Sequence, residues 1–316
     1  MSITSFKPKA AADASTRIAA LIDAASGIVL GKTEVLRLAV TCLLAGGHLL
    51  LEDLPGVGKT TLAQTLARLL GLSYQRLQCT SDLMPADVIG VSVYDRNDSQ
   101  FRFHPGPVFT QVLLADEINR ATPRAQSALL EAMEERQVSV DGRALPLPTP
   151  FFVIATQNPA DQVGTYPLPE SQLDRFLMRL SLGYPGRDAE RQLLQGSDRR
   201  ALLADLPPVL AVDELLDLQR QVDAVHVADA LVDYLQALLQ RSRELPGLAH
   251  GLSPRAGLAL LRAARAWALV HGRGHVLPED LKAVLPSVAA HRLASREAGV
   301  RSESIVTQLL RTVPVN

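Results

Sequence analysis

The sequence predicts an α/β domain on a parallel sheet, followed by an all-helical domain. Up to Pro185, three apolar runs lack in/out alternation: Leu49-Leu50-Leu51, Val112-Leu113-Leu114-Ala115 and Phe151-Phe152-Val153-Ile154. Such runs read as strands buried on both faces, and helical segments separate them. Beyond Tyr184-Pro185-Gly186 the pattern changes to long amphipathic stretches, residues 212–222 and 231–244 among them, with no strand signal. The expected organisation is a flexible N-terminus over residues 1–16, the α/β unit over 17–185 and the helical unit over 186–316.

Composition narrows the function classes. With 32 basic against 33 acidic side chains the net charge is -1, so no overall positive field exists to hold a nucleic-acid backbone. Cys42 and Cys79 each sit in an apolar stretch. They read as buried thiols, not a disulfide framework, and a reducing cytoplasm is the expected compartment. The N-terminus carries Lys7 and Lys9 among alanines without the apolar core of a signal peptide. Residues 36–51 are interrupted by Arg37, Gly46-Gly47 and His48. They read as helix, turn and strand, and no membrane insertion is expected.

The first strand runs into Asp53-Leu54-Pro55-Gly56-Val57-Gly58-Lys59-Thr60-Thr61, a glycine-rich turn that opens a helix with Leu62, Leu66 and Leu69 on one face. That setting suits a phosphate-binding loop: Gly56 and Gly58 let the backbone N–H groups converge, and the helix adds its positive end. Lys59 is expected on the β- and γ-phosphates and Thr60 on magnesium. The usual motif begins with Gly, and here Asp53 holds that place as a residue able to take a left-handed turn.

The second run ends in Asp116-Glu117. Asp116 is expected to hold the magnesium, and Glu117 to activate the water that attacks the γ-phosphate. An acidic pair after a strand is also a common helix start. The third run ends in Thr156-Gln157-Asn158-Pro159, where Asn158 either helps hold that water or simply starts a turn. Between them, residues 137–145 alternate around Asp141-Gly142, a hairpin signal. Residues 88–110 form an insert in which Phe101-Arg102-Phe103 reads as a short strand. In the helical unit, Ser253 caps a helix with Pro254 at its first position. Arg255 in that first turn opposes the helix dipole, a cost that points to a functional duty.

Several ordered strings resemble those of MoxR-family AAA+ ATPases across nearly the whole chain. They are Gly106-Pro107-Val108-Phe109, Leu113 to Arg120, Gln126 to Met133, Ala155 to Pro159, Gly164-Thr165-Tyr166-Pro167-Leu168-Pro169 and Leu173-Asp174-Arg175-Phe176. The resemblance implies an AAA+ P-loop core, an αβα sandwich with a C-terminal helical lid, that binds ATP and Mg2+. It implies a homo-oligomeric ring, commonly a hexamer, in which Arg175 is the arginine finger offered to the neighbouring subunit and Arg255 is a second sensor touching the nucleotide from the lid. Ile28 and Val29, within Gly27-Ile28-Val29-Leu30-Gly31, match the segment that packs the adenine. By surface chemistry alone, Arg175 could equally pair with Asp174 or Glu170. The insert over about 88–110 and the hairpin over about 136–148 are expected where substrates or partners engage.

The function this implies is ATP-driven, chaperone-like remodelling or activation of a protein client, and the client the resemblance suggests is a protein with a von Willebrand factor A domain. The alternatives are a metal-chelatase-type ATPase subunit, a nucleic-acid motor and an ATP-binding switch without turnover. The near-neutral charge weighs against the motor. The scattered histidines offer no metal-ligand spacing. Glu117 and Arg175 together argue for hydrolysis.

Overall fold

The computed structural model describes residues 8–97, 99–159, 164–196, 199–293 and 302–314. Helices α1 (Pro8–Ser26) and α2 (Thr33–Leu44) precede β1 (His48–Glu52), and α3 (Lys59–Leu69) follows it. Strand β2 (Tyr74–Gln78) leads through α4 (Pro85–Ile89) into a hairpin of β3 (Gly90–Asp95) and β4 (Gln100–Pro105). The chain re-enters the sheet as β5 (Val112–Asp116), then forms α5 (Pro123–Glu135) and a second hairpin of β6 (Gln137–Val140) and β7 (Arg143–Pro146). Strand β8 (Phe152–Gln157), the short α6 (Glu170–Leu173) and β9 (Phe176–Leu180) complete the α/β unit. Helices α7 (Arg187–Gln195), α8 (Arg199–Ala204), α9 (Val212–Ala224), α10 (Asp229–Glu244), α11 (Pro254–Val270), α12 (Pro278–Ala289) and α13 (Ser302–Thr312) make up the lid.

The sheet is parallel throughout, in the order β2-β5-β8-β1-β9. Its three inner strands are the three apolar runs, and their uniform hydrophobicity has a simple cause. Leu49 and Leu51 of β1 enter one core with α1, α2, α3 and the lid, while Leu50 enters a second core with α5. Val112 and Leu114 of β5 divide from Leu113 and Ala115 in the same way. Alternate residues thus leave by opposite faces, and both faces are covered. Each of these fully buried leucines contributes roughly 1.5–3 kcal/mol by leaving water. The first core continues into the lid through Leu218, Leu260 and Leu285, and α11 packs on α1 and α2. Cys42 and Cys79 are buried free thiols, and burial pushes Cys79 up to about 12.

The hairpin expected around Asp141-Gly142 is present as β6–β7, with both turn residues at positive φ, as a primed turn requires. The insert differs from expectation. Phe101-Arg102-Phe103 lies in β4, but it pairs with β3, which the sequence reading left out. Strand β3 has one exposed face and little core behind it, so its pattern was weak. The flexible N-terminus expected over residues 1–16 is corrected in part: residues 8–16 belong to α1, where Ala11 and Ala14 are buried in the main core. An alanine-rich start reads as frayed until the surface it packs on is known. Residues 1–7 lie outside the described residues.

Buried His48 opens β1 and ties it to two other elements. Its Nδ1 accepts the Val153 N–H at 2.9 Å and its Nε2 faces the Met133 carbonyl at 3.2 Å. Burial outweighs the Met133 carbonyl and, with the Arg136 charge, pushes its pKa down to about 4. The neutral ring therefore stabilises the fold fully above the unfolded value near 6.5, and this contribution is lost as pH falls from there to about 4. At about 1.4 kcal/mol per pH unit the loss amounts to roughly 3 kcal/mol. The expected result is a urea midpoint that drops between pH 7 and pH 5, with a smaller drop in His48→Gln, whose amide keeps both hydrogen bonds without titrating. An equal drop in both would assign the acid sensitivity elsewhere.

Candidate functional site

Strand β8 lies between β5 and β1, so the C-terminal ends of these three strands meet at one edge of the sheet. That edge is where ligands bind in open α/β sheets. The loop after β1 turns through Gly56 at φ 83° and Gly58 at φ 97°, and a Cβ at either would meet nothing within 4 Å. Positive φ, not crowding, requires glycine here, and the space above the loop is open for a ligand. Helix α3 begins at Lys59 with its N-terminal N–H groups directed at that space, and buries Leu62, Leu66 and Leu69 as expected.

Asp53 does a different job from the one expected. Its φ is not positive. Its Oδ2 accepts the Gly183 N–H at 2.6 Å and the Ser181 hydroxyl at 2.9 Å, and its Oδ1 accepts the Leu54 N–H at 2.8 Å. Burial alone would raise this carboxyl, but these donors and a further backbone hydrogen bond from Leu182 more than offset it and hold the group below the usual carboxylate value. Asp53 thereby anchors the start of the loop to the chain leaving β9. Lys59 Nζ donates to the carbonyls of Asp53 at 2.5 Å and Leu54 at 2.8 Å, folded back along its own loop.

Across the edge, Asp116 ends β5 and Glu117 follows in a left-handed conformation, φ 58° and ψ 50°. For a residue with a side chain that costs about 1 kcal/mol or more. Thr156 at the end of β8 holds the turn: its hydroxyl donates to Asp116 Oδ1 at 2.6 Å and accepts the Glu117 N–H at 2.9 Å. The other Asp116 oxygen takes Arg76 of the edge strand β2, with Nη2 at 2.5 Å and Nε at 3.1 Å. Gln78, two residues on and so on the same face, donates to Glu117 Oε2 at 3.1 Å, and Arg120 lies 3.4 Å from that oxygen. Loop and carboxylates enclose a cavity of about 300 Å³. Pro55, Gly56, Gly58, Lys59, Thr60 and Thr61 form one wall, Asp116 and Glu117 a second, and Thr156, Gln157 and Asn158 a third.

The remaining expected residues lie elsewhere. Val57 turns its side chain to the core, so only its backbone serves the loop. Ile28 and Val29 are buried in the main core and do not line this cavity. Arg175 and Arg255 share a separate cavity, also about 300 Å³, with no lining residue in common with the first. Arg175 pairs with Glu134 of α5 at 2.8 Å, not with Asp174 or Glu170, and also donates to the Leu130 carbonyl. Ser253 caps α11 as expected, its hydroxyl accepting the Ala256 N–H at 3.1 Å. Arg255 then reaches Glu134 at 3.1 Å and Asp174 at 3.8 Å. Arg255, expected to touch the nucleotide from the lid, lines no part of the cavity at the glycine loop. The start of α11 sets it beside Arg175, away from the phosphate loop.

Arg76, Gln78, Thr156 and Glu134 were missed by sequence reasoning. The single trace of the first two is the polar i, i+2 pair in β2, which acquires meaning only when the register sets Gln78 opposite Asp116.

Residues 48–178 match the ATPase family associated with various cellular activities (AAA), and residues 240–309 match the AAA lid domain. The chain is 44% identical to an uncharacterised Bacillus subtilis protein, YeaC, over 91% of each. It is 41% identical to the Mycobacterium tuberculosis protein named Chaperone MoxR1, over 90% of this chain and 79% of that one. A crystal structure from Cytophaga hutchinsonii, named as a candidate ATPase, superposes with a TM-score of 0.87 at 33% identity over 97% of both chains. A glycine loop on a parallel sheet in this strand order, with an acidic pair facing it and a helical lid, defines a P-loop ATPase of the AAA+ class. Within that class, the chain belongs to the MoxR family. Among the described residues no helix is long and apolar enough to cross a membrane.

Proposed function

We propose that the protein hydrolyses ATP to ADP and phosphate with magnesium, as a ring of identical subunits, and couples turnover to remodelling of a protein client. One observation carries the ring: Arg175 and Arg255 line a different cavity from the phosphate loop. An arginine of this pair meets a γ-phosphate when a neighbouring copy presents it. In this reading both arginines serve the adjacent subunit, and a hexamer in the cytoplasm is the arrangement the family resemblance favours.

Within one subunit, Lys59 exchanges two neutral carbonyls for phosphate oxygens, a stronger charge-assisted bond. Glu117 aligns the attacking water and takes its proton, while Asn158 on the adjoining strand end holds the water from the other side. The donors fit magnesium: the Thr60 hydroxyl and Asp116 carboxylate are hard oxygens on the walls of one cavity. Magnesium takes few protein ligands when phosphates and water supply the rest. Among the described residues, no group of three or more His, Cys, Asp or Glu side chains forms an all-protein metal cage. Both Asp116 oxygens already carry partners, Arg76 and Thr156, so this carboxylate would hold the ion through water. When bound, the ion neutralises charge on the phosphates.

The β3–β4 hairpin exposes Tyr94 and Phe101, and a groove lined by Phe101, Phe103, Val140 and Leu145 separates it from β6–β7. The exposed apolar residues of the β3–β4 hairpin, beside a groove that the half-buried Val140 and Leu145 of β6–β7 complete, support a protein client, for which a von Willebrand factor A domain is the family's precedent.

The test is Glu117→Gln, which keeps shape and loses basicity. ATP should bind with unchanged affinity while turnover falls by about 10²–10⁴. The trapped protein should retain a client that the parent releases. Hydrolysis at the parent rate would remove Glu117 from the chemistry and with it this reading of the site.

A further inference from the structure

We propose that Arg292, at the end of the lid, is a positioning residue for Arg175, so that the lid sets the finger's aim. The inference rests on the reading of Arg175 as the arginine that acts on ATP. Arg292 follows α12, and its side chain is 6% exposed. Its Nε donates to Asp174 Oδ1 at 2.6 Å, and its Nη2 donates to the Asp174 carbonyl at 3.0 Å and the Phe176 carbonyl at 2.8 Å. Its Nη1 donates to the carbonyls of Leu177 at 3.3 Å and Val288. One guanidinium from the lid therefore grips the backbone on both sides of Arg175.

Two of these carbonyls, Phe176 and Leu177, lie where the β1–β9 ladder breaks. His48 pairs with Phe176 and Leu49 with Met178, so Leu177 is skipped. Arg292 donates to both carbonyls at this bulge, and His291 Nε2 also faces the Phe176 carbonyl at 3.0 Å. From the opposite side, Leu130 and Glu134 of α5 hold the Arg175 head. The finger is thus suspended between a backbone fixed by the lid and a head fixed by the core, and a lid movement carries residues 174–177 with it.

A plain structural clamp would not need this chemistry. Taking a cation out of water costs several kcal/mol unless every donor is satisfied. Helix α12 already packs on β9 through apolar residues such as Val288 and Leu285. The charge also places a third arginine beside Arg175 and Arg255, and among the described residues the carboxylates paired with them are Glu134 and Asp174. Asp174 is shared by Arg292 and Arg255, so the lid residue bears on both cations offered to the neighbour.

The test is a double-mutant cycle in the full-length assembled protein. Lysine keeps the charge at position 292 but cannot span four carbonyls and a carboxylate. Arg292→Lys is expected to leave the Kd for a fluorescent ATP analogue within about twofold and to lower kcat about 10- to 100-fold, the cost of roughly 1 Å of misplacement. Amide hydrogen exchange at residues 175–177 should quicken while the phosphate loop is unchanged. In the Arg175→Ala background the same substitution should lower kcat by less than about twofold, because a positioning residue has nothing left to position. An additive loss, or a parent-like kcat in Arg292→Lys with Arg175 present, would overturn the proposal. Should Arg292→Lys not fold, Asp174→Asn removes the charged partner and retains the carbonyl contacts, and the same non-additivity is required of it. This cycle holds whether Arg175 acts within or between subunits, so it fails separately from the ring reading.

Discussion

Arg175→Ala protein is expected to bind ATP as tightly as the parent and to hydrolyse it about 10³–10⁵ times more slowly, the contribution of an arginine to the transferring phosphoryl group. Binding survives because Arg175 lies outside the cavity that holds the phosphate loop. The substitution leaves Glu134 paired with Arg255, so no buried carboxylate is stranded and the fold is retained. Mixing this protein with Glu117→Gln protein provides the decisive measurement. The first lacks the arginine but keeps its base, and the second lacks the base but keeps its arginine. A mixed ring then contains interfaces with both groups, and activity should exceed that of either protein alone, rising with total concentration as assembly follows mass action. If light scattering shows mixed rings and activity never exceeds the sum of the separate proteins, Arg175 does not act across a subunit boundary.

Lys59→Ala should lose measurable nucleotide binding. A lysine–phosphate contact is a charge-assisted bond worth about 1.5–3 kcal/mol at each oxygen. Losing contacts to two phosphates weakens binding by about 10²–10⁴-fold. Lys59 donates to two carbonyls of a partly exposed loop, so its removal opens no buried cavity. The melting temperature should therefore stay close to the parent's while calorimetry detects no heat from ATP. Unchanged affinity would reject the phosphate-loop assignment.

Much of the site was legible because its signals are local. A strand that must be buried on both faces reads as Leu49-Leu50-Leu51, a turn needing positive φ reads as Gly56 and Gly58, and a primed hairpin turn reads as Asp141-Gly142. Each depends on the conformation of a few consecutive residues. Ser253 at the start of α11 belongs with them, since a cap and the N–H it satisfies are three residues apart. Strand β3 escaped notice because an exposed hairpin carries little hydrophobic periodicity.

By itself, the sequence determined the three inner strands of the sheet, the glycine-rich loop that opens α3, the acidic pair at the end of β5 and the change to helices after Pro185. Only the tertiary structure decided which of these meet. It set β8 between β5 and β1, brought Arg76 and Gln78 of an edge strand onto Asp116 and Glu117, turned Asp53 into an anchor for Gly183, and placed Arg255 and Arg292 around Arg175 instead of over the phosphate loop. The physical reason is range. Caps, turns and buried runs are fixed by interactions between near neighbours in the chain, whereas a side-chain contact across 39 to 130 residues depends on strand register and helix packing that no short stretch encodes.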